Sequence, residues 1–137
     1  MDREPIYIKK GTDPEVDSYS AFFDNYGVGE GSTGLDKILR SKKVTRTWVV
    51  GLAFDYCVGS TALHGIDLDL LTFVVKDAAK AVAEDTEKAM ASRLMESGVI
   101  LVNKEHAIKD LKDFNSAASL QATALILTII LTALQRG

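Results

Sequence analysis

Three uncharged apolar runs, each about the length of a strand, dominate the middle of the chain: residues 47–52, 70–75 and 99–102. They are apolar at nearly every position rather than at alternate ones, which fits strands buried on both faces. Helical patterns lie between and after them. Residues 57–64 predict a short helix with Gly65 as its stop. Residues 85–97 predict an amphipathic helix with Ala89, Met90, Leu94 and Met95 inward and Gly98 as its C-cap. A charged helix over 104–112 follows the third run. Strands alternating with helices at this spacing imply an α/β fold with a parallel sheet and helical crossovers. Upstream, Ile6-Tyr7-Ile8 reads as a short strand. Residues 34–43 carry Leu35, Ile38 and Leu39 at helical spacing, with basic residues toward the end, where they complement the helix dipole.

Two stretches fall outside this alternation. Residues 12–33 are polar and glycine-rich, and a loop of that length in a small domain is usually functional or disordered. Residues 115–135 carry no charge. This tail has three readings: a helix packed on the domain, a membrane anchor, or sequence outside the domain's pattern, as from an alternative exon or frame. About 20 uncharged residues approach a membrane span, but the threonines, serines and Gln121 weaken it, so the anchor is the minor reading. The expected organisation is one domain over 1–112 and an apolar tail over 113–137. The net charge of −3 gives no electrostatic case for nucleic acid. A single cysteine cannot form an internal disulfide, and the opening residues lack signal-peptide character. Both suit a reducing, cytoplasmic setting.

The strongest local signal is Gly51-Leu52-Ala53-Phe54-Asp55-Tyr56-Cys57-Val58. A buried strand ends, the chain turns, and a cysteine stands where the next helix begins. That places the sulfur at the C-terminal edge of the sheet, where open α/β folds hold their sites. The free amides of a helix's first turn can hold an oxyanion, and that end of a helix favours thiolate. A lone cysteine is also often an inert, buried one, and position alone leaves the two readings even.

Gly-Leu-Ala-x-Asp-Tyr-Cys-Val followed by Thr61-Ala62 resembles the nucleophile segment of nicotinamidases, within the isochorismatase-like hydrolase superfamily. Lys10-Gly11-Thr12 and the loop Asp17-Ser18-Tyr19-Ser20-Ala21-Phe22-Phe23-Asp24-Asn25 resemble the same family's lysine loop. Asp77-Ala78, and Ala89, Leu94, Met95, Gly98 and Val99 at their spacing, match its later strand and helix. The similarity runs from about residue 6 to 102 and implies a three-layer, Rossmann-like parallel sheet with flanking helices. It implies a reaction too: nicotinamide, or a similar small amide, hydrolysed to the acid and ammonia through a cysteine thioester, feeding NAD salvage.

Individual roles follow from the resemblance. Cys57 is the nucleophile and Lys10 the cation beside it, with Lys9 the neighbouring candidate. The backbone amides of Ala53 and Cys57 form the oxyanion hole, next to a cis Leu52–Ala53 peptide, a rare geometry away from proline. Tyr19 lines the pyridine pocket and Tyr56 is a second candidate, though either could be packing. Asp55 is expected to support the turn rather than take part in chemistry. The family pattern also holds an aspartate general base and an Asp-x-His plus a further His for a divalent metal. These have no counterpart here, so the chain matches the family's C-terminal half. His64 and His106 are read as surface or packing residues, and no metal or other cofactor is expected on this chain. Such a chain is expected to be inactive or weak by itself, since members of a catalytic set act as a unit. Its cysteine strand would also expose an apolar edge that the tail could partly cover. A non-catalytic module, self-associating or pairing with a full-length copy, is the rival reading.

Overall fold

The computed structural model describes residues 4–25, 31–118 and 126–131. After α1 (Leu35–Ser41) comes β1 (Arg46–Leu52), a π-helical turn (Phe54–Val58) and α2 (Gly59–Asp67). They are followed by β2 (Leu71–Lys80), α3 (Glu84–Glu96), β3 (Ile100–Val102), α4 (Lys104–Ala118) and β4 (Ile126–Leu131). The four strands form one parallel sheet in the order β3-β2-β1-β4.

Alternate residues of a strand face opposite sides of the sheet, so a strand buried on both faces builds two cores. Val49 of β1 and Val74 of β2 join Phe54, Val58, Ala62, Leu39 and Leu94 on one side. Trp48 and Phe73 stack on the other at 5.0 Å between centroids and pack with Val75 and Ala107. The three apolar runs of the sequence are therefore β1, β2 and β3, and β1 lies within the sheet.

Several local expectations give way. Gly65 does not stop its helix. It lies buried inside α2, where a Cβ would come within 2.5 Å of Thr72 Oγ1 on β2. The glycine serves close approach of helix to sheet rather than termination. Met95 points outward with 58% of its surface exposed, while Leu94 is fully buried. The inward stripe of α3 is thus narrower than its apolar residues suggest. Ile6-Tyr7-Ile8 forms no strand, and Tyr7 is 87% exposed. Without a neighbouring strand to pair with, alternation alone does not make one.

The tail differs most from expectation. Ile126–Leu131 is a strand rather than a helix or an anchor, paired with β1 from Arg46↔Ile126 to Gly51↔Leu131. Its isoleucines and threonine favour extended backbone, and β1 offers an edge of amides and carbonyls that need partners. The rest of the apolar stretch, 119–125 and 132–137, lies outside the described residues, as do Gly27 and Gly29 of the long loop. No helix among the described residues is long and apolar enough to cross a membrane.

Candidate active site

The C-terminal end of β1 is built to turn sharply. Gly51 has φ +120°, a region that disfavours a side chain, and the pairing of β1 with β2 slips between Val49 and Gly51. The Leu52–Ala53 peptide is cis, as the resemblance implied. The chain then coils through the π-helical turn, held down by the fully buried Phe54 and Val58. Cys57, directly before Val58, stays partly exposed. The carbonyl of Ala53 accepts from the amides of Tyr56 (3.1 Å) and Val58 (3.0 Å), those on either side of Cys57. Directly after, Gly59 lets α2 approach α3, because a Cβ there would lie 2.5 Å from Met90 Sδ.

Lys10 reaches this turn from 47 residues upstream. Its ammonium donates to the Ser18 carbonyl at 2.5 Å and to Cys57 Sγ at 3.5 Å. Lys9, the other candidate, is exposed. The ring of Tyr19 lies 5.5 Å from that of Tyr56, tilted by 55°. The Tyr19 hydroxyl donates to Asp17 at 3.3 Å. The negative charge of Asp17, with some burial, pushes the Tyr19 phenol above its ordinary pKa. Sequence reasoning therefore located residues that the fold brings together: Cys57, Lys10, Tyr19 and Tyr56 share one end of the sheet, with Ala53 at its rim.

It missed the groups that hold them there. Ser18 contributes the carbonyl that anchors Lys10. Thr61 sits one helical turn after Cys57, donates to the Cys57 carbonyl at 2.7 Å and accepts the Ala21 amide at 2.9 Å. A threonine in a helix commonly bonds the carbonyl four residues back, so half of this arrangement had a sequence signal. Thr86 donates to Asp55 at 2.5 Å, and the amides of Val82 (3.0 Å) and Ala83 (3.4 Å) donate to the same carboxylate. Burial works against the charged form of Asp55. The hydrogen bonds from Thr86, Val82 and Ala83 outweigh it and hold the carboxyl below the ordinary carboxylate range. Asp55 thus fastens the nucleophile turn to the loop ahead of α3.

Among the described residues, those available for a metal do not come together. His64 is half-buried with Phe23 edge-on at 5.3 Å, and burial holds its imidazole below the usual value. His106 is exposed on α4. Among the described residues no three His, Cys, Asp or Glu side chains form a group that could hold an ion. These residues therefore do not fit the divalent metal that the resemblance associates with full-length relatives.

The isochorismatase domain family model matches residues 11–106. The chain belongs to the isochorismatase domain family. It is 45% identical to the nicotinamidase of Escherichia coli (strain K12) over 73 residues, which cover 53% of this chain and 33% of that one. The fold superposes on the Acinetobacter baumanii nicotinamidase pyrazinamidase with a TM-score of 0.69 and 30% identity, covering 73% of this chain and 48% of the other. PnC1 from L. infantum in complex with nicotinate gives a TM-score of 0.66 and 30% identity, over 89% of this chain and 50% of that one. The chain spans about a third of the E. coli relative's length and about half of each of these two structures.

Proposed function

We propose that this chain carries the nucleophile portion of a nicotinamidase, whose reaction takes nicotinamide and water to nicotinate and ammonia, in NAD salvage. The observation that carries the reading is Lys10 Nζ at 3.5 Å from Cys57 Sγ, two residues far apart in sequence meeting at the C-terminal end of a parallel strand. The sulfur of Cys57 attacks the carboxamide carbon, forming a C–S bond and an oxyanion. The amides of Ala53 and Cys57 serve as its donors, and Lys10 supplies positive charge beside the sulfur. The C–N bond then breaks and the nitrogen leaves, protonated, as ammonia. Water attacks the thioester carbon, giving the acid and returning the thiol. Tyr19 and Tyr56 offer aromatic faces to the pyridine ring.

Both proton transfers need an acid–base group. The nearby carboxylates have other partners: Asp55 binds the loop ahead of α3, Asp17 accepts from Tyr19, and Asp13 accepts the Glu15 amide at 2.9 Å. The family's general-base aspartate has no counterpart on this chain, so turnover by the chain alone should be weak, and a protein that contributes a free carboxylate to this edge would raise it. A pyridine-3-carbaldehyde probe isolates the nucleophile from that requirement, because thiol addition to an aldehyde expels no leaving group. With the aldehyde carbon labelled with carbon-13, the expected result is a thiohemiacetal resonance in the unsubstituted chain that is lost in Cys57→Ala and weakened in Lys10→Met. A resonance that survives Cys57→Ala refutes the assignment.

A further inference from the structure

Resting on the reading of Cys57 and Lys10 as a working pair, we infer that the buried hydroxyl of Thr61 is a positioning residue that docks the lysine loop against the nucleophile. Thr61 has no exposed surface. Its oxygen holds two elements at once, accepting the Ala21 amide at 2.9 Å and donating to the Cys57 carbonyl at 2.7 Å. The carbonyl of Ala21 is fixed as well, since Thr33 donates to it at 2.7 Å. A short step back along the same loop lie Ser18, whose carbonyl anchors the Lys10 ammonium, and Tyr19, whose ring meets Tyr56. Thr61 therefore joins the residue bearing the sulfur to the segment that aims both the cation and the aromatic wall.

Removing the hydroxyl while keeping the volume leaves the Ala21 amide buried without an acceptor, and a buried group in that position shifts to find water or another partner. The loop then moves from Cys57, and Lys10 moves with it. Packing alone predicts something else. A threonine used only to fill space is replaced well by valine and poorly by serine, whereas a positioning hydroxyl shows the reverse order.

The test is the rate of Cys57 alkylation by iodoacetamide at one neutral pH in the full chain. It is measured for the unsubstituted protein, Thr61→Val, Thr61→Ser, Lys10→Met and the Thr61→Val/Lys10→Met double variant. The expected result is a fall of about fivefold to tenfold in Thr61→Val. Thr61→Ser should retain a rate near that of the unsubstituted chain. Thr61→Val should add nothing once Lys10 is methionine, because the two act through one contact. A Thr61→Val rate equal to the unsubstituted one, beside a slowed Lys10→Met, overturns this inference alone. A Lys10→Met rate equal to the unsubstituted one overturns the pair itself and this inference with it. A Thr61→Ser loss as large as or larger than the Thr61→Val loss denies the hydroxyl a part of its own and also overturns it. Circular dichroism checks each fold, and Thr61→Ala carries the same readout if the valine variant fails to fold.

Discussion

Replacing Asp55 with alanine tests how the nucleophile turn is held. The carboxylate is 6% exposed and takes donors from Val82, Ala83 and Thr86. A hydrogen bond to a charged group contributes about 1.5–3 kcal/mol net, so three give an upper bound of roughly 5–9 kcal/mol. The actual loss is smaller for two reasons. Val82 is 71% exposed and Ala83 is exposed, so water reaches their amides when the carboxylate is gone. Thr86 retains the Ala83 carbonyl, to which it also donates at 3.1 Å. About 2–3 kcal/mol remains, equivalent to a fall of about 7–12 °C in Tm for a chain of this length. Asp55→Asn keeps one acceptor oxygen and should lose less. Because hydrogen bonding holds the folded carboxyl below its ordinary range, the stabilisation is fully present above that range and is lost as pH falls through the folded-state value. The gap in Tm between the unsubstituted chain and Asp55→Asn should therefore narrow on acidification below the ordinary carboxylate range. Thermal melts followed by circular dichroism at neutral and acid pH measure both effects. An Asp55→Ala Tm within about 2 °C of the unsubstituted chain, or a gap that stays constant into acid, would refute the clamp.

Other consequences can be checked with the same melts. Gly65→Ala places a Cβ 2.5 Å from Thr72 Oγ1 and should destabilise by about 1–3 kcal/mol, against the usual gain of alanine over glycine in a helix. A Gly65→Ala protein as stable as the original would show that α2 and β2 are not so closely packed. For His64, burial lowers the folded-state pKa below the unfolded one, so its contribution is present above the unfolded value and declines as pH falls toward the folded one. His64→Gln should flatten the fall in Tm between about pH 7 and pH 5 relative to the unsubstituted chain. Parallel curves would exclude His64 as its source.

How much of this was legible from residues depends on the range of the interaction. The runs that became β1, β2 and β3 announced themselves because a strand buried on both faces has nowhere to place a charge. The turn after Gly51 followed from a strand meeting a helix, while the choice between a reactive and an inert Cys57 came from the family resemblance. Lys10 came from family resemblance, since nothing in its own neighbourhood says that it meets a residue 47 positions away. The same limit hid the partners of Asp55 and the acceptor role of Thr61 toward Ala21, both contacts made across the fold. Gly65 was misread because a glycine that ends a helix and one that admits a neighbouring strand look alike in sequence. Ile126–Leu131 was misread for another reason. A long uncharged stretch drew attention to its length, while its isoleucines and threonine already favoured extended backbone.

Ammonia release from nicotinamide tests the Cys57–Lys10 assignment most directly. The purified chain is assayed alone and together with the remaining N-terminal portion of a nicotinamidase relative, with Cys57→Ala in parallel. The account predicts little release by the chain alone, clear release in the mixture, and loss of that release in Cys57→Ala. Release that is indifferent to Cys57→Ala, or absent from both arms, would contradict it.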